Sequence, residues 1–199
     1  ELAFFSVQEK DGQDYFRDMQ FALEYALENR RRMMDVFKQI ILESLPQAKF
    51  ICEINIHHNY AAKEQHFGQT YYIHRKGATS AKKGEMGIIP GSMGSSSYIV
   101  RGLGNPESFM SCSHGAGRVM SRTAANQQLS REECDLAMQG IVRESWKPCS
   151  GRRGKKAGQR LLDLSEAPQA YKDIDEVMQA QKDLTEIVVG LKPMSVLKG

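Results

Sequence analysis

Gly87-Ile88-Ile89-Pro90-Gly91-Ser92-Met93-Gly94-Ser95-Ser96-Ser97-Tyr98-Ile99-Val100 reads as a strand, a tight turn and a second strand. Short apolar runs flank a segment in which a proline fixes one torsion and glycines release others, which reverses a chain rather than continuing a helix. A flexible linker is the other reading of a Gly/Ser-rich segment, and the strand-like flanks oppose it. Within the turn, backbone amides and serine hydroxyls converge on one concave point, a setting suited to an anion. The segment is not a Walker loop, since it lacks the terminal Gly-Lys-Ser/Thr, nor is it a dinucleotide fingerprint.

Just downstream, Ser111-Cys112-Ser113-His114-Gly115-Ala116-Gly117-Arg118 sets a histidine among small residues. A phosphate can approach both its ring and the neighbouring amides, and Arg118 adds a planar fork for a second phosphate. A glycine-rich turn around a buried, hydrogen-bonded histidine is the alternative. The octet lying beside the serine turn favours nucleotide handling.

Upstream, Gln13 to Leu45 repeats apolar residues at helical spacing (Phe16, Met19, Leu23, Ala26, Leu27, Met34, Phe37, Ile41), with Pro46 as the stop. The spacing predicts one long amphipathic helix or two in series. Arg30, Arg31 and Arg32 interrupt the pattern; at least one can turn toward an anionic ligand, although a solvated face is the commoner origin of such a set. Phe50 to Ile56 alternates as a half-buried strand and delivers His57 and His58 to its end. His58, Glu64 and His66 are candidate ligands for a divalent cation such as manganese or zinc, against the commoner role of hydrogen-bonded core histidines.

A second alternating strand, Thr70 to Arg75, runs into Lys76 and Gly77, where adjacent cations either clamp a phosphate or form a charged turn. Ser130-Arg131-Glu132-Glu133 is a capping box opening a helix. Ile174 to Leu191 carries a helical apolar stripe stopped by Pro193, and Met194 to Leu197 forms a last strand. Strands and helices intermix without βαβ alternation. The predicted fold class is therefore α+β, layered mixed sheets flanked by helices, in a single region over residues 1–199.

With 199 residues, 41% hydrophobic and 26% charged, the chain is neither disordered nor fibrous. No apolar run approaches the roughly 18 residues that span a bilayer, and the start shows no basic leader, so no membrane partner is expected and the expected compartment is the cytoplasm. The missing initiator Met reads as a piece of something longer. Four cysteines without CxxC spacing read as reduced thiols. The net charge of +3 hides a local surplus: from Arg143 to Arg160 seven bases face one acid, Glu144, so this stretch carries +6 and the remainder −3. Such a basic loop, about residues 141–165, suits a polyanion, although a solvated loop is the commoner origin of a charge run.

His58-Asn59-Tyr60-Ala61…Glu64…His66, His74-Arg75-Lys76-Gly77-Ala78, Ile89-Pro90-Gly91-Ser92-Met93-Gly94, Ser113-His114-Gly115-Ala116-Gly117-Arg118, Glu166-Ala167-Pro168-Gln169-Ala170-Tyr171-Lys172-Asp173-Ile174-Asp175 and the terminal Lys198-Gly199 together resemble the RtcB family of RNA-splicing ligases. The resemblance covers nearly the whole chain and is to the C-terminal half of the family. It implies a GTP- and manganese-dependent ligase that joins RNA ends bearing a 3′-phosphate or 2′,3′-cyclic phosphate to 5′-hydroxyl ends, in transfer-RNA splicing or RNA repair. An archease-type activator is a further implied partner.

Under this resemblance His114 attacks the α-phosphate of GTP and carries GMP as a phosphoramidate, a role that a neutral imidazole can fill near pH 7. His58 matches the family's metal-binding histidine, and Asn59 lies beside the nucleotide. Pro90, Gly91, Ser92, Met93 and Ser97, with His114, Gly115, Ala116 and Gly117, match its phosphate and guanylate contacts, and Lys198 matches the lysine that reads the guanine. Arg75, Lys76 and Arg118 are candidate RNA phosphate contacts. Two departures stand out. The family's other metal ligands, an Asp, a Cys, two further histidines and an Asn-His-x-x-Glu motif, belong to a half that this sequence does not contain, and the 141–165 stretch is longer and more basic than in the family. A noncatalytic guanylate- or RNA-binding fragment is accordingly the alternative function, and a phosphoesterase built on His58, Glu64 and His66 is a third.

Overall fold

A computed structural model describes residues 3–149 and 162–197. It mixes helices with small sheets, the α+β class predicted. Most of the basic surplus, from Arg152 to Arg160, and the lysine at position 198 lie outside the described residues. No helix among the described residues is long and apolar enough to cross a membrane.

The first element is one uninterrupted helix, α1 (Lys10–Ser44), closed where the Leu45 amide bonds the Ile41 carbonyl just before Pro46. The three arginines do not break it, because Arg31 and Arg32 fold back on Glu28 at 2.7 Å each, one turn away. That pairing holds the Glu28 carboxyl down at about 2. Phe16 of α1 meets Tyr72 edge-on at 5.2 Å, and the Ala61 amide reaches Met19 Sδ, so one face of the helix lies on the first hairpin. Much of the remaining apolar surface of α1, including Phe21, Tyr25 and Ile40, is exposed.

The predicted strand at Phe50–Ile56 is not one. Its alternation is intact, yet no strand among the described residues runs beside it to complete a ladder, and Ile51 is 95% exposed. Instead, side chains tie it to α1: Asn55 Nδ2 donates to the Leu27 carbonyl and Lys38 pairs with Glu53.

The hairpin that follows pairs β1 (Asn59–His66) with β2 (Gln69–Lys76). Its two turn residues, Phe67 and Gly68, have φ of 50° and 75°, the doubly left-handed turn whose twist matches the flanking strands. β3 (Ala78–Ser80) then crosses to pair much later with β6 (Ser111–Ser113), with Ala78 opposite Ser113.

Between them, β4 (Met86–Ile89) and β5 (Ser97–Gly102) form the antiparallel pair that brackets the serine turn. Short helices α2 (Arg122–Gln128) and α3 (Arg131–Ala137) follow. The predicted cap is formed on its serine side: Ser130 Oγ accepts the Glu133 amide, and the Glu133 carboxylate takes the Ser130 hydroxyl proton.

The predicted helix from Ile174 to Leu191 is half right. α4 (Ile174–Ala180) opens where Asp173 caps the amides of Asp175 and Glu176, but the chain then turns and enters a strand, β8 (Thr185–Leu191), beside β5. Ile187, Val188 and Val189 are β-branched, which favours a pleated neighbour over a helical turn. The expected last strand exists as β9 (Ser195–Val196), parallel to β7 (Val142–Arg143).

The principal core joins Ile89, Val100, Cys112, Ala116, Ile174 and Met178. It therefore ties together β4, β5, β6 and α4, the elements from which both glycine loops emerge. A smaller cluster of Cys134, Leu164 and Ala167 packs under Trp146.

Candidate functional site

The serine turn and the His114 loop are joined to each other. The Ala116 amide donates to the Pro90 carbonyl at 3.0 Å, and a Cβ on Gly115 would stand 3.0 Å from that same oxygen. Glycine at 115 is thus a matter of clearance. At the neck of the turn, a Cβ on Gly91 would fall 2.1 Å from the Ser96 carbonyl.

The serine hydroxyls serve the turn itself. Ser97 Oγ accepts the Gly91 amide at 3.2 Å, Ser95 Oγ accepts the Ser92 amide at 2.6 Å, and Ser92 Oγ accepts the Gly94 amide at 3.3 Å. The amides expected to converge on a phosphate are partly spoken for by these hydroxyls. What results is a stiff loop whose shape is set in advance.

His114 follows β6 directly, opposite Gly77, which has φ of 77° and whose Cβ position lies 3.8 Å from the imidazole Cε1. The strand end is fixed by Gln181 Oε1, which accepts the Ser113 amide at 2.9 Å. The ring of His114 stacks on His58 with centroids 6.2 Å apart and planes 5° from parallel. Its Nδ1 is buried and has no hydrogen-bond partner. A buried nitrogen without a partner is rare in a folded protein, and His114 shares this feature with His66 Nδ1.

A cavity of about 610 Å³ opens on the serine turn. Ser92 and Ser95 stand on one wall; Tyr171, Lys172, Asp175 and Lys192 stand on others. The Lys172 amide donates to the Gly117 carbonyl at 3.0 Å, which joins this wall to the His114 loop. The size fits a nucleotide.

Three candidate phosphate contacts separate. Arg75 is 1% exposed and makes five hydrogen bonds, to Ser111 Oγ, Tyr60 Oη, the Phe109 carbonyl and both oxygens of Glu64. Its full complement of donors is consumed inside the chain, so it is a structural cation and not a phosphate clamp. Arg118 is also turned inward: it bonds the Met120 and Ser165 carbonyls and Tyr171 Oη, and its guanidinium lies 4.8 Å from the Tyr171 ring. Lys76 is exposed.

The expected cation set also comes apart. His58 precedes β1 and Glu64 lies near its far end, roughly 20 Å of extended chain away. Glu64 bonds His66 at 3.0 Å and Arg75 at 2.8 Å, which holds its carboxyl at about 2, chiefly through the Arg75 hydrogen bonds. Among the described residues no three His, Cys, Asp or Glu side chains gather to hold a metal ion. The described residues thus do not by themselves build a manganese centre, and a phosphoesterase on His58, Glu64 and His66 is excluded as read.

The reading from sequence did not anticipate Gln181, and it named Arg30 only as one of three arginines. Gln181 acts 68 residues away from Ser113, beyond any local signal. Arg30 is the arginine of its trio that turns inward, donating to Asn55 Oδ1 at 2.6 Å with Nη2 3.4 Å from His57 Nδ1. Burial, reinforced by the charge of Arg30, lowers the His57 pKa and favours a neutral ring.

A family model described as tRNA-splicing ligase RtcB matches residues 1–199. The chain belongs to the RtcB family. It is 50% identical over 139 residues to the RNA-splicing ligase RtcB of Escherichia coli strain K12, covering 67% of this chain and 34% of that protein. Over its whole length it is 30% identical to the tRNA-splicing ligase RtcB of Methanococcus maripaludis, of which it covers 45%. A Mycobacterium bovis RNA-splicing ligase RtcB is 34% identical over 86% of this chain and 41% of its own. The chain therefore spans less than half the length of these RtcB relatives.

Proposed function

We propose that this chain is the guanylate-carrying part of a GTP-dependent RNA ligase that joins 3′-phosphate or 2′,3′-cyclic phosphate ends to 5′-hydroxyl ends. The observation that carries the reading is the His114 ring, its Nδ1 buried without a hydrogen-bond partner, stacked on His58 where two glycine loops meet. With Nδ1 sealed behind Gly77, Nε2 is the ring nitrogen left to react.

In this reading Nε2 forms a bond to the α-phosphorus of GTP as the bond to pyrophosphate breaks, giving a phosphoramidate. An oxygen of the RNA 3′-phosphate then takes the GMP from the histidine, and the 5′-hydroxyl displaces GMP to close a phosphodiester. The stiff serine turn contributes by positioning, which dominates phosphoryl transfer. The guanylate sits against Pro90, Gly91, Ser92, Met93, Ser97 and the 114–117 loop, with Lys198 as the proposed reader of the base. Asn59 borders the nucleotide, and Lys76 is the remaining candidate for an RNA phosphate. Manganese, which would neutralise phosphate charge, has one candidate ligand here, His58. Transfer-RNA splicing or RNA repair in the cytoplasm, with an archease-type activator, completes the proposal.

The test is incubation with radiolabelled GTP and manganese beside a His114→Ala control, followed by denaturing electrophoresis. An acid-labile label on the chain that the variant lacks is the expected result. The dispersed acids and histidines favour a second reading, a guanylate- or RNA-binding fragment without catalysis. Saturable GMP or RNA binding with no covalent label would establish that reading instead.

A further inference from the structure

The strand that delivers His114 is held on one edge by a side chain where a further strand would otherwise lie. His114 follows Ser113, the last residue of β6, and among the described residues β6 has a strand partner, β3, along one edge. On the other edge the Ser113 amide donates to Gln181 Oε1 at 2.9 Å. Gln181 is 5% exposed and closes the end of α4. Its carbonyl accepts the Leu184 and Thr185 amides at 2.9 and 3.2 Å, and its Nε2 faces Met178 Sδ at 3.3 Å. The side-chain amide therefore has one orientation, because turning it over would set an NH2 group against the Ser113 N–H. The far side of the loop is fastened to the same segment: the Lys172 amide donates to the Gly117 carbonyl at 3.0 Å, so both ends of the 113–117 loop are tied to residues 172–181. That segment also builds the larger cavity, which Lys172, Asp173 and Asp175 line at the start of α4, while Ile174 and Met178 are buried in the principal core. α4 thus runs from the cavity wall to the strand end that carries His114.

From this arrangement we infer that Gln181 is a positioning residue, which sets where the His114 ring stands relative to the wall of the cavity on the serine turn. The inference rests on the ligase reading for what that ring attacks. The ring has little freedom of its own, with the Cβ position of Gly77 3.8 Å from its Cε1 and His58 stacked at 6.2 Å. Ser113 Oγ also donates to the Gly115 carbonyl at 3.1 Å, so a shift of Ser113 is passed to both neighbours of His114. Without the Gln181 acceptor the Ser113 amide is left unpaired, and the strand end must move to reach another partner. Bond formation at phosphorus is sensitive to misplacement of about 1 Å, so this movement slows the reaction more than it weakens nucleotide binding.

The experiment compares Gln181→Met, which keeps the length of the side chain and removes the acceptor, with Gln181→Glu, which keeps an acceptor oxygen in either protonation state. Labelling with GTP and manganese gives the rate of covalent bond formation at saturating GTP, and equilibrium dialysis gives GMP affinity. Gln181→Met should slow labelling by about a hundredfold with GMP affinity within about twofold of the unsubstituted chain, and Gln181→Glu should recover most of the rate. Met178→Leu, which repacks the neighbouring core and leaves the acceptor in place, should label as the unsubstituted chain does. Undiminished labelling of Gln181→Met overturns the inference, as does a parallel fall of rate and GMP affinity. A second readout needs neither GTP nor metal: carbethoxylation of His114 by diethylpyrocarbonate, followed by mass spectrometry. Loosening the strand end in Gln181→Met should raise this rate about fivefold, the factor expected for one ordinary hydrogen bond, and Met178→Leu should leave it unchanged. If the unsubstituted chain takes no label from GTP, the ligase reading fails for this chain, and faster carbethoxylation of Gln181→Met still supports Gln181 as the anchor of the ring. Equal carbethoxylation overturns that anchoring role as well.

Discussion

At the scale of single residues, Arg75 and Glu64 depend on each other. The guanidinium is buried with every donor engaged, and two of those bonds go to one carboxylate. Removing either charge strands the other in a poorly solvated place, at a cost of about 3–5 kcal/mol. Glu64→Gln should therefore lower the urea midpoint at pH 7 markedly. The acid limb follows from the carboxyl lying at about 2 rather than its ordinary 4.5. A depressed carboxyl stabilises the fold above pH 4.5 and surrenders that stability as pH falls toward 2. Urea titrations between pH 5 and 2 should show the unsubstituted chain losing stability faster than the Gln variant. Parallel slopes would show that Glu64 is not the group responsible.

At the scale of elements, the serine turn works because backbone occupies the space a side chain would need. Gly91→Ala would force a methyl to 2.1 Å from the Ser96 carbonyl and 2.5 Å from Ser95 Oγ, so the turn must open and release its hydroxyl-to-amide bonds. We expect loss of GTP labelling and of GMP binding with the melting temperature lowered by only a few degrees, since the turn lies at the end of β4 and β5 rather than within the core. Labelling at the unsubstituted rate would show that a preset turn is unnecessary. This loop was legible from its strand-like flanks, and so was the capping box. Phe50–Ile56 was misread because alternation reports two faces but not whether a neighbour exists to share hydrogen bonds. Ile174–Leu191 was misread because its apolar residues fit a 3.6-residue period by chance, while the run Ile187-Val188-Val189 already argued for a strand.

At the scale of the whole molecule, the sequence pointed to His114 and its glycine loop but not to what holds the strand leading into them, since Gln181 reaches Ser113 only through the fold. It also assigned Arg75 and Arg118 outward roles, because a motif shows that a cation is present and not which way it faces. The two apolar clusters raise the question of how cooperatively this fold opens. Among the described residues the larger cluster has seven buried members around Cys112, and the smaller has three around Cys134. Opening free energy scales with buried apolar packing, so the smaller cluster should open first. Thiol labelling with iodoacetamide resolved by mass spectrometry can follow this, because Cys52 is exposed while Cys112 and Cys134 are buried. Cys52 should react at once, Cys134 slowly, and Cys112 last, its thiol also being pushed up to about 11 by burial. Raising the pH from 7 to 9 separates opening from ionisation. If Cys134 still precedes Cys112 after correction for thiolate content, the clusters open independently; matched corrected rates would mean that the chain opens as a single unit.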